Sequence, residues 1–199
     1  LGSLVIDASG NWSYEVDNSL VQYLKAGETR DEVFTVTSAD GTPHTVTVTV
    51  TGANETATVG SGTVQEDTTV STGGTLTATG GASFIADSQS GSYGTLQLGT
   101  NGQWTYTLDN ASPAVQALVS GETRTESFTV QLNDGSSTTV TVQVQGLNDG
   151  AVIAGDASGA VIEDINVTAG GKLIDSGSLT VADADAGQTS FTAGAGTPV

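Results

Sequence analysis

The side chains in this sequence best placed to do chemistry are carboxylates that come in pairs. Asp183 and Asp185 stand two residues apart in Val181-Ala-Asp-Ala-Asp-Ala-Gly187. Residues two apart on extended backbone project to the same side, so both carboxylates can face one cation. Asn148-Asp149 and Glu163-Asp164 offer more oxygens of the same kind. Together they approach the about six to eight hard ligands that Ca²⁺ takes. We therefore expect Asp183, Asp185, Asn148, Asp149, Glu163 and Asp164 to form a calcium site, against the alternative of a solvated acidic loop. The charge balance agrees. Lys and Arg total 4 against 22 Asp plus Glu, a net charge of −18. Such a surplus repels itself unless cations neutralise it. It also repels the phosphates of nucleic acid and anionic membrane surfaces, so neither is an expected partner.

Other chemistries find less support. His44 is the single histidine and sits beside Pro43, where a hairpin turn is expected; it reads as an exposed turn residue. No Gly-x-Ser-x-Gly elbow or His-Glu-x-x-His helix occurs. Glu28 and Glu122 occupy matching places in a repeat, as do Asp17 and Asp109, so a glycosidase carboxylate pair would have to exist twice. Turn and cap roles account for them better. Trp12 and Trp104 could stack on sugars, but each stands two residues before a tyrosine on an alternating strand, which favours core packing. With no cysteine, disulfides and thiol chemistry are excluded. The chain is not expected to be an enzyme.

The elements that must position the carboxylates are repeated. Gly2 to Asn18 (GSLVIDASGNWSYEVDN) returns as Gly94 to Asn110 (GTLQLGTNGQWTYTLDN), with both tryptophans in register. Ala26-Gly-Glu-Thr-Arg30 returns as Ser120-Gly-Glu-Thr-Arg124, and Phe34-Thr-Val36 as Phe128-Thr-Val130. A second half-motif recurs too: Gly62-Thr-Val-Gln-Glu-Asp67 as Gly159-Ala-Val-Ile-Glu-Asp164, and Gly74-Thr-Leu-Thr77 as Gly177-Ser-Leu-Thr180. Residues 1–54 then read as the back half of one unit, 55–148 as a complete unit and 149–199 as the front half of the next.

Within the complete unit, Leu96 and Leu98 alternate inward, Gly99-Thr-Asn-Gly102 turns the chain, and Trp104, Tyr106 and Leu108 alternate back. Phe128, Val130 and Leu132, the turn Asn133-Asp-Gly135, and Val140, Val142 and Val144 make a second hairpin. Between them, residues 109–118 carry a cap, an early proline and a short apolar face, which predict about two turns of helix, the one helix of each unit. Some seven short strands with frequent turns describe an all-β, Ig-like sandwich rather than a closed barrel.

These residues resemble the VCBS repeat family, the tandem Ig-like or cadherin-like domains of large bacterial RTX-type surface adhesins. The resemblance rests on Glu66-Asp67 after Gly-x-Val, Gly94-Thr-Leu, Asn101-Gly102-x-Trp104-x-Tyr106, Leu108-Asp109-Asn110, Gly121-Glu122, Phe128-Thr-Val130 and the closing Gly146-Leu-Asn-Asp149. The Asp183-x-Asp185 segment is similar to the Asp-x-Asp calcium motif of cadherin repeats. What the resemblance implies is repetition, an extracellular or cell-surface location, an adhesion or extender role, and calcium at junctions. The chain departs from the family pattern at Gly150, where such linkers place Ala-Pro, and at Asn54-Glu55, where they place Asn-Asp.

The two junctions should therefore differ. The stretch equivalent to 182–185 in the complete unit is Thr79-Gly-Gly-Ala82, without a carboxylate. We expect a calcium-poor first junction, free to bend, and a calcium-capable second one. The expected partners are neighbouring repeats or identical chains. No run approaches eighteen apolar residues, so membrane insertion is not expected. The opening Leu1 reads as that of an excised or processed segment. An alternative function is a head-to-tail filament in which half-units of neighbouring chains complete one another, and closure of the two halves within one chain is a third arrangement.

Overall fold

A computed structural model describes residues 1–196; the last three residues of the expected 149–199 segment lie outside it. The described chain is almost entirely β. The first half-unit is two hairpins, β1 (Ser3–Ile6) with β2 (Trp12–Glu15) and β3 (Thr29–Thr37) with β4 (Pro43–Thr51). The complete unit follows with β5 (Gly60–Gln65), β6 (Ser71–Thr75), β7 (Asp87–Ser90), β8 (Gly94–Leu98), β9 (Gln103–Leu108), helix α1 (Pro113–Gln116), β10 (Thr123–Gln131) and β11 (Ser137–Gln145). Beyond it, β12 (Val152–Gly155) pairs antiparallel with β13 (Leu179–Ala182).

The complete unit is the sandwich that the alternating pattern predicts. One sheet runs β6-β9-β8-β7 and the other β10-β11-β5, with β5 parallel to β11. The period of two puts Leu96, Leu98, Trp104, Tyr106 and Leu108 of one sheet against Val64, Phe128, Val130, Val140, Val142 and Val144 of the other, all in one buried cluster. Each such side chain contributes about 1.5–3 kcal/mol on leaving water. The tight turn into β9 needs a left-handed residue, and Gly102 supplies it at φ +79°.

The predicted helix forms, but as a single turn. Ser112 caps it by accepting from Ala114 N at 3.2 Å, and Pro113 fills the first helical position. Ala117 already leaves the helical region, because Val115 and Leu118 must both reach the core before the chain turns into β10. The first half-unit has only a 3-10 turn there, Asn18–Leu20, with Asp17 as cap.

The two tryptophans differ. Trp104 is 4% exposed, whereas Trp12 is 50% exposed. Trp104 lies on a glycine floor: a Cβ at Gly60, Gly62 or Gly74 would stand 3.0–3.2 Å from its indole. That floor belongs to β5 and β6, and residues 1–54 contain neither strand. The core role expected of both rings is seen for Trp104, while Trp12 stands half in solvent in a half-unit that holds neither strand.

Candidate metal centre

The strand pairing brings the acidic pair of the complete unit to the unit's exit. Because β5 runs parallel to β11 with Gln65 opposite Gln145, the residue after β5 arrives where the chain leaves β11 for the linker. Glu66 N donates to Gln145 O at 3.1 Å, and Leu147 N donates to Glu66 Oε1. Asp67 follows in the left-handed region at φ 58°. Asn110 holds it from both sides: Asp67 N donates to Asn110 Oδ1 at 2.8 Å and Asn110 Nδ2 to Asp67 Oδ1 at 2.7 Å. Gln116 Nε2 adds a third contact to Oδ1 at 3.3 Å.

The next segment supplies the opposite wall. After β13 the chain turns at Asp183, whose Oδ1 accepts from Asp185 N at 2.9 Å. This sends Asp185 inward, where it is 2% exposed. Its Oδ2 accepts from Asp149 N at 2.9 Å and from Gln188 Nε2 at 3.0 Å. Ala186 N donates to Ala117 O at 3.2 Å, tying this loop to the end of α1.

Three carboxylates from three separate segments therefore act on one another at this junction: Glu66 at the end of a strand, Asp149 in the linker and Asp185 in the following loop. Each has one buried oxygen without a hydrogen-bond donor: Glu66 Oε2, Asp149 Oδ2 and Asp185 Oδ1. A buried carboxylate oxygen left unpaired is costly, and like charges around it add to the cost. The acidities reflect this. Burial pushes the Glu66 carboxyl up; the Leu147 N–H opposes the shift, and the charges of Asp149, Asp67 and Asp185 reinforce it. Burial also raises Asp149, followed by the charges of Asp67, Asp185 and Asp183. Among the described residues no three His, Cys, Asp or Glu side chains are yet gathered closely enough to hold a metal as they stand. What the group offers is a set of hard oxygens with nothing positive among them.

The structure thus brings together Asp149, Asp183 and Asp185 of the expected set. Asn148 is exposed beside them; its Nδ2 donates to Asp149 O and its Oδ1 accepts from Gln188 at 3.5 Å. Glu163 and Asp164 lie elsewhere, exposed, and neither is among the charges acting on Glu66 or Asp149. The acidic pair facing Asp185 is Glu66-Asp67, from the preceding unit. The reason is topological: such a pair ends the first strand of its unit and stays beside its own unit's last strand.

The first junction is built otherwise. Gly80 and Ala82 stand where the second junction has Asp183 and Asp185. Glu55 N donates to Asp134 Oδ2 at 2.6 Å, and Thr79 Oγ1 donates to Glu55 Oε2 at 2.6 Å. Asp134 is 1% exposed and also accepts from Ser136 N and Oγ. The loop expected to bend freely is therefore tied to the linker by hydrogen bonds.

The remaining candidates take the bland roles. Glu28 accepts from Lys25 N at 3.1 Å, and Glu122 from Val119 N at 3.3 Å while pairing with Arg124. His44 lies exposed on β4. One buried acid went unnoticed in the sequence: Glu126, 8% exposed, accepts from Tyr106 Oη and from Ser92 N and Tyr93 N. Its signal was present, because Glu32 occupies the matching place and accepts from Tyr14 Oη at 3.1 Å.

No curated protein matches the chain. Residues 53–146, the first linker together with the complete unit, match the family model of the bacterial cadherin-like domain.

Proposed function

We propose that the chain is a run of extracellular adhesion-type repeats, an extender segment of a large bacterial surface protein, whose second junction is stiffened by Ca²⁺. The match of residues 53–146 to a cadherin-like domain supports the module type. The observation that carries the calcium reading is the set of donorless buried oxygens on Glu66, Asp149 and Asp185.

Those three residues, with Asp67 and Asp183 beside them, would hold the ion. A bound divalent cation supplies positive charge and accepts oxygen ligands in flexible geometry. The protein's own part is positional. Asn110 and Gln116 aim Asp67, the Leu147 N–H fixes one Glu66 oxygen, and the Asp149 N–H fixes one Asp185 oxygen. In each case the second oxygen is left for the ion. Because the ligands come from the preceding unit, the linker and the following segment, binding at this place restrains their relative motion. This role is mechanical, and we read the chain as non-enzymatic and the resemblance to VCBS repeats as its finer classification.

Small-angle scattering with and without chelator tests the reading. Millimolar Ca²⁺ should extend and narrow the distribution of shapes, and Glu66→Gln with Asp185→Asn should abolish the response. Identical scattering in both conditions would refute it.

A further inference from the structure

We propose that Asp149-Gly150 is a self-modification site, at which the chain isomerises its own backbone from aspartyl to isoaspartyl. The step uses only groups of the chain and water. The Gly150 nitrogen bonds to the carboxyl carbon of the Asp149 side chain, and one carboxyl oxygen leaves as water with the amide proton and one proton from solvent. A five-membered succinimide results. Water then opens the ring at either carbonyl, and opening at the main-chain carbonyl leaves the backbone running through the side chain. The step requires a glycine nitrogen with no other bond to hold it and a side-chain carboxyl free to turn onto it.

The sequence offers this dipeptide chemistry at Asp40-Gly41, Asn101-Gly102, Asp134-Gly135 and Asp149-Gly150, and the first three are locked in one kind of turn. Their glycines are left-handed, at φ 87°, 79° and 86°. Each glycine N–H donates back across its turn: Gly41 to Ser38 O at 2.9 Å, Gly102 to Gly99 O at 3.0 Å and Gly135 to Leu132 O at 3.1 Å. Each side-chain oxygen accepts from the residue after the glycine: Thr42 N at 3.1 Å, Gln103 N at 3.1 Å and Ser136 N at 2.9 Å. Both reacting groups are thereby occupied.

Asp149-Gly150 lacks both restraints. Among the described residues Gly150 N donates to no protein acceptor, and Asp149 Oδ2 receives no donor. Gly150 is exposed, its φ lies outside the left-handed region, and a Cβ built on it would meet nothing within 4 Å. The facing loop explains the free N–H. At the first junction Thr56, two residues after Asn54 as Gly150 is after Asn148, is exposed as well but donates its N–H to Thr79 Oγ1 at 3.0 Å. The loop beside Gly150, Ala182-Asp-Ala-Asp-Ala186, carries no hydroxyl. Isomerisation adds a methylene to the linker backbone and displaces the Asp149 carboxylate from its place at the junction. In the one part that rests on the calcium reading above, an ion held by that carboxylate keeps it from Gly150 and protects the linker.

The test ages the full chain at neutral pH in chelator and in millimolar Ca²⁺. Cleavage after Arg124 and Lys172 releases one peptide that holds both Asp134 and Asp149, each within Asn-Asp-Gly, and electron-transfer fragmentation reads isoaspartate at either place. In chelator the folded chain should isomerise at Asp149 at least about tenfold faster than at Asp134, a barrier difference of about 1.4 kcal/mol. In denaturant the two rates should converge, because the local sequence is the same. Gly150→Ala, for which there is room, should suppress the reaction at Asp149 without loss of thermal stability. Equal rates at the two sites of the folded chain, or no isoaspartate at Asp149, would overturn the proposal. Calorimetry reads Ca²⁺ binding separately. Binding that leaves the rate at Asp149 unchanged would overturn the protective role, whereas absence of binding would refute the calcium reading and leave the rates in chelator to decide this one.

Discussion

Asp149 donates its backbone N–H to Asp185 Oδ2 at 2.9 Å, so the linker and the loop beyond it share one hydrogen bond beside three negative charges. That bond holds the second junction in register while its carboxylates repel one another. On the proposed reading, a bound cation would relieve that repulsion and stiffen the junction.

Replacing Glu66 by Gln should therefore have opposite effects in two solutions. In chelator it removes a buried charge and should raise stability by about 1–3 kcal/mol. In millimolar Ca²⁺ it removes a ligand, and the affinity should fall at least about tenfold, worth about 1.4 kcal/mol. Thermal unfolding in both solutions checks the sign change; a loss of stability in chelator would contradict it.

Acidity should act in the same direction as the substitution. Glu66 and Asp149 have carboxyl pKa values raised on folding, so the folded chain binds their protons more readily than the unfolded chain. Their penalty is fully present above the folded pKa values and disappears as pH falls below the unfolded ones, near about 4. In chelator, the stability difference between Glu66→Gln and the parent should shrink as pH is lowered from 7 towards 4. Denaturant titrations at several pH values read this directly, and a constant difference would argue against it.

Glu126→Ala should destabilise the complete unit strongly. It leaves the Tyr106 hydroxyl and the N–H groups of Ser92 and Tyr93 without their acceptor. The expected loss is about 3 kcal/mol or more. Tyr106→Phe, which removes one donor, should cost about 1 kcal/mol. Chemical denaturation separates the two, and equal losses would show that the carboxylate is not the hub.

At the first junction, Asp134→Ala should broaden the shape distribution in chelator and in Ca²⁺ alike, because Glu55 N and Ser136 lose their acceptor whether or not the ion is present. Calcium sensitivity at Asp134 would contradict the hydrogen-bonded account of that linker.

Much of this was legible in the residues. Period-two alternation marked the strands of both sheets, and the repeated Trp-x-Tyr placed Trp104 and Tyr106 in the core. The carboxylates Asp149, Asp183 and Asp185 could be picked out because spacing of two and linker position are local signals. Their partner could not be chosen the same way. Glu66-Asp67 and Glu163-Asp164 are the same motif, and only the parallel pairing of β5 with β11 shows that the pair serves the exit of its own unit. Trp12 repeats the pattern of Trp104 but lies half exposed, without the strands that cover Trp104 in the complete unit. The hydrogen-bonded first linker was hidden because the Asp134 to Glu55 contact spans 79 residues.

Calorimetric titration of the full chain with Ca²⁺ tests the central claim most directly. The account predicts saturable binding in about the 10⁻⁴–10⁻³ M range of extracellular modules. That binding should be lost in Asp185→Asn and unaffected by Glu163→Gln. No binding heat at millimolar Ca²⁺, or binding that survives loss of the Asp185 carboxylate but not of Glu163, would contradict it.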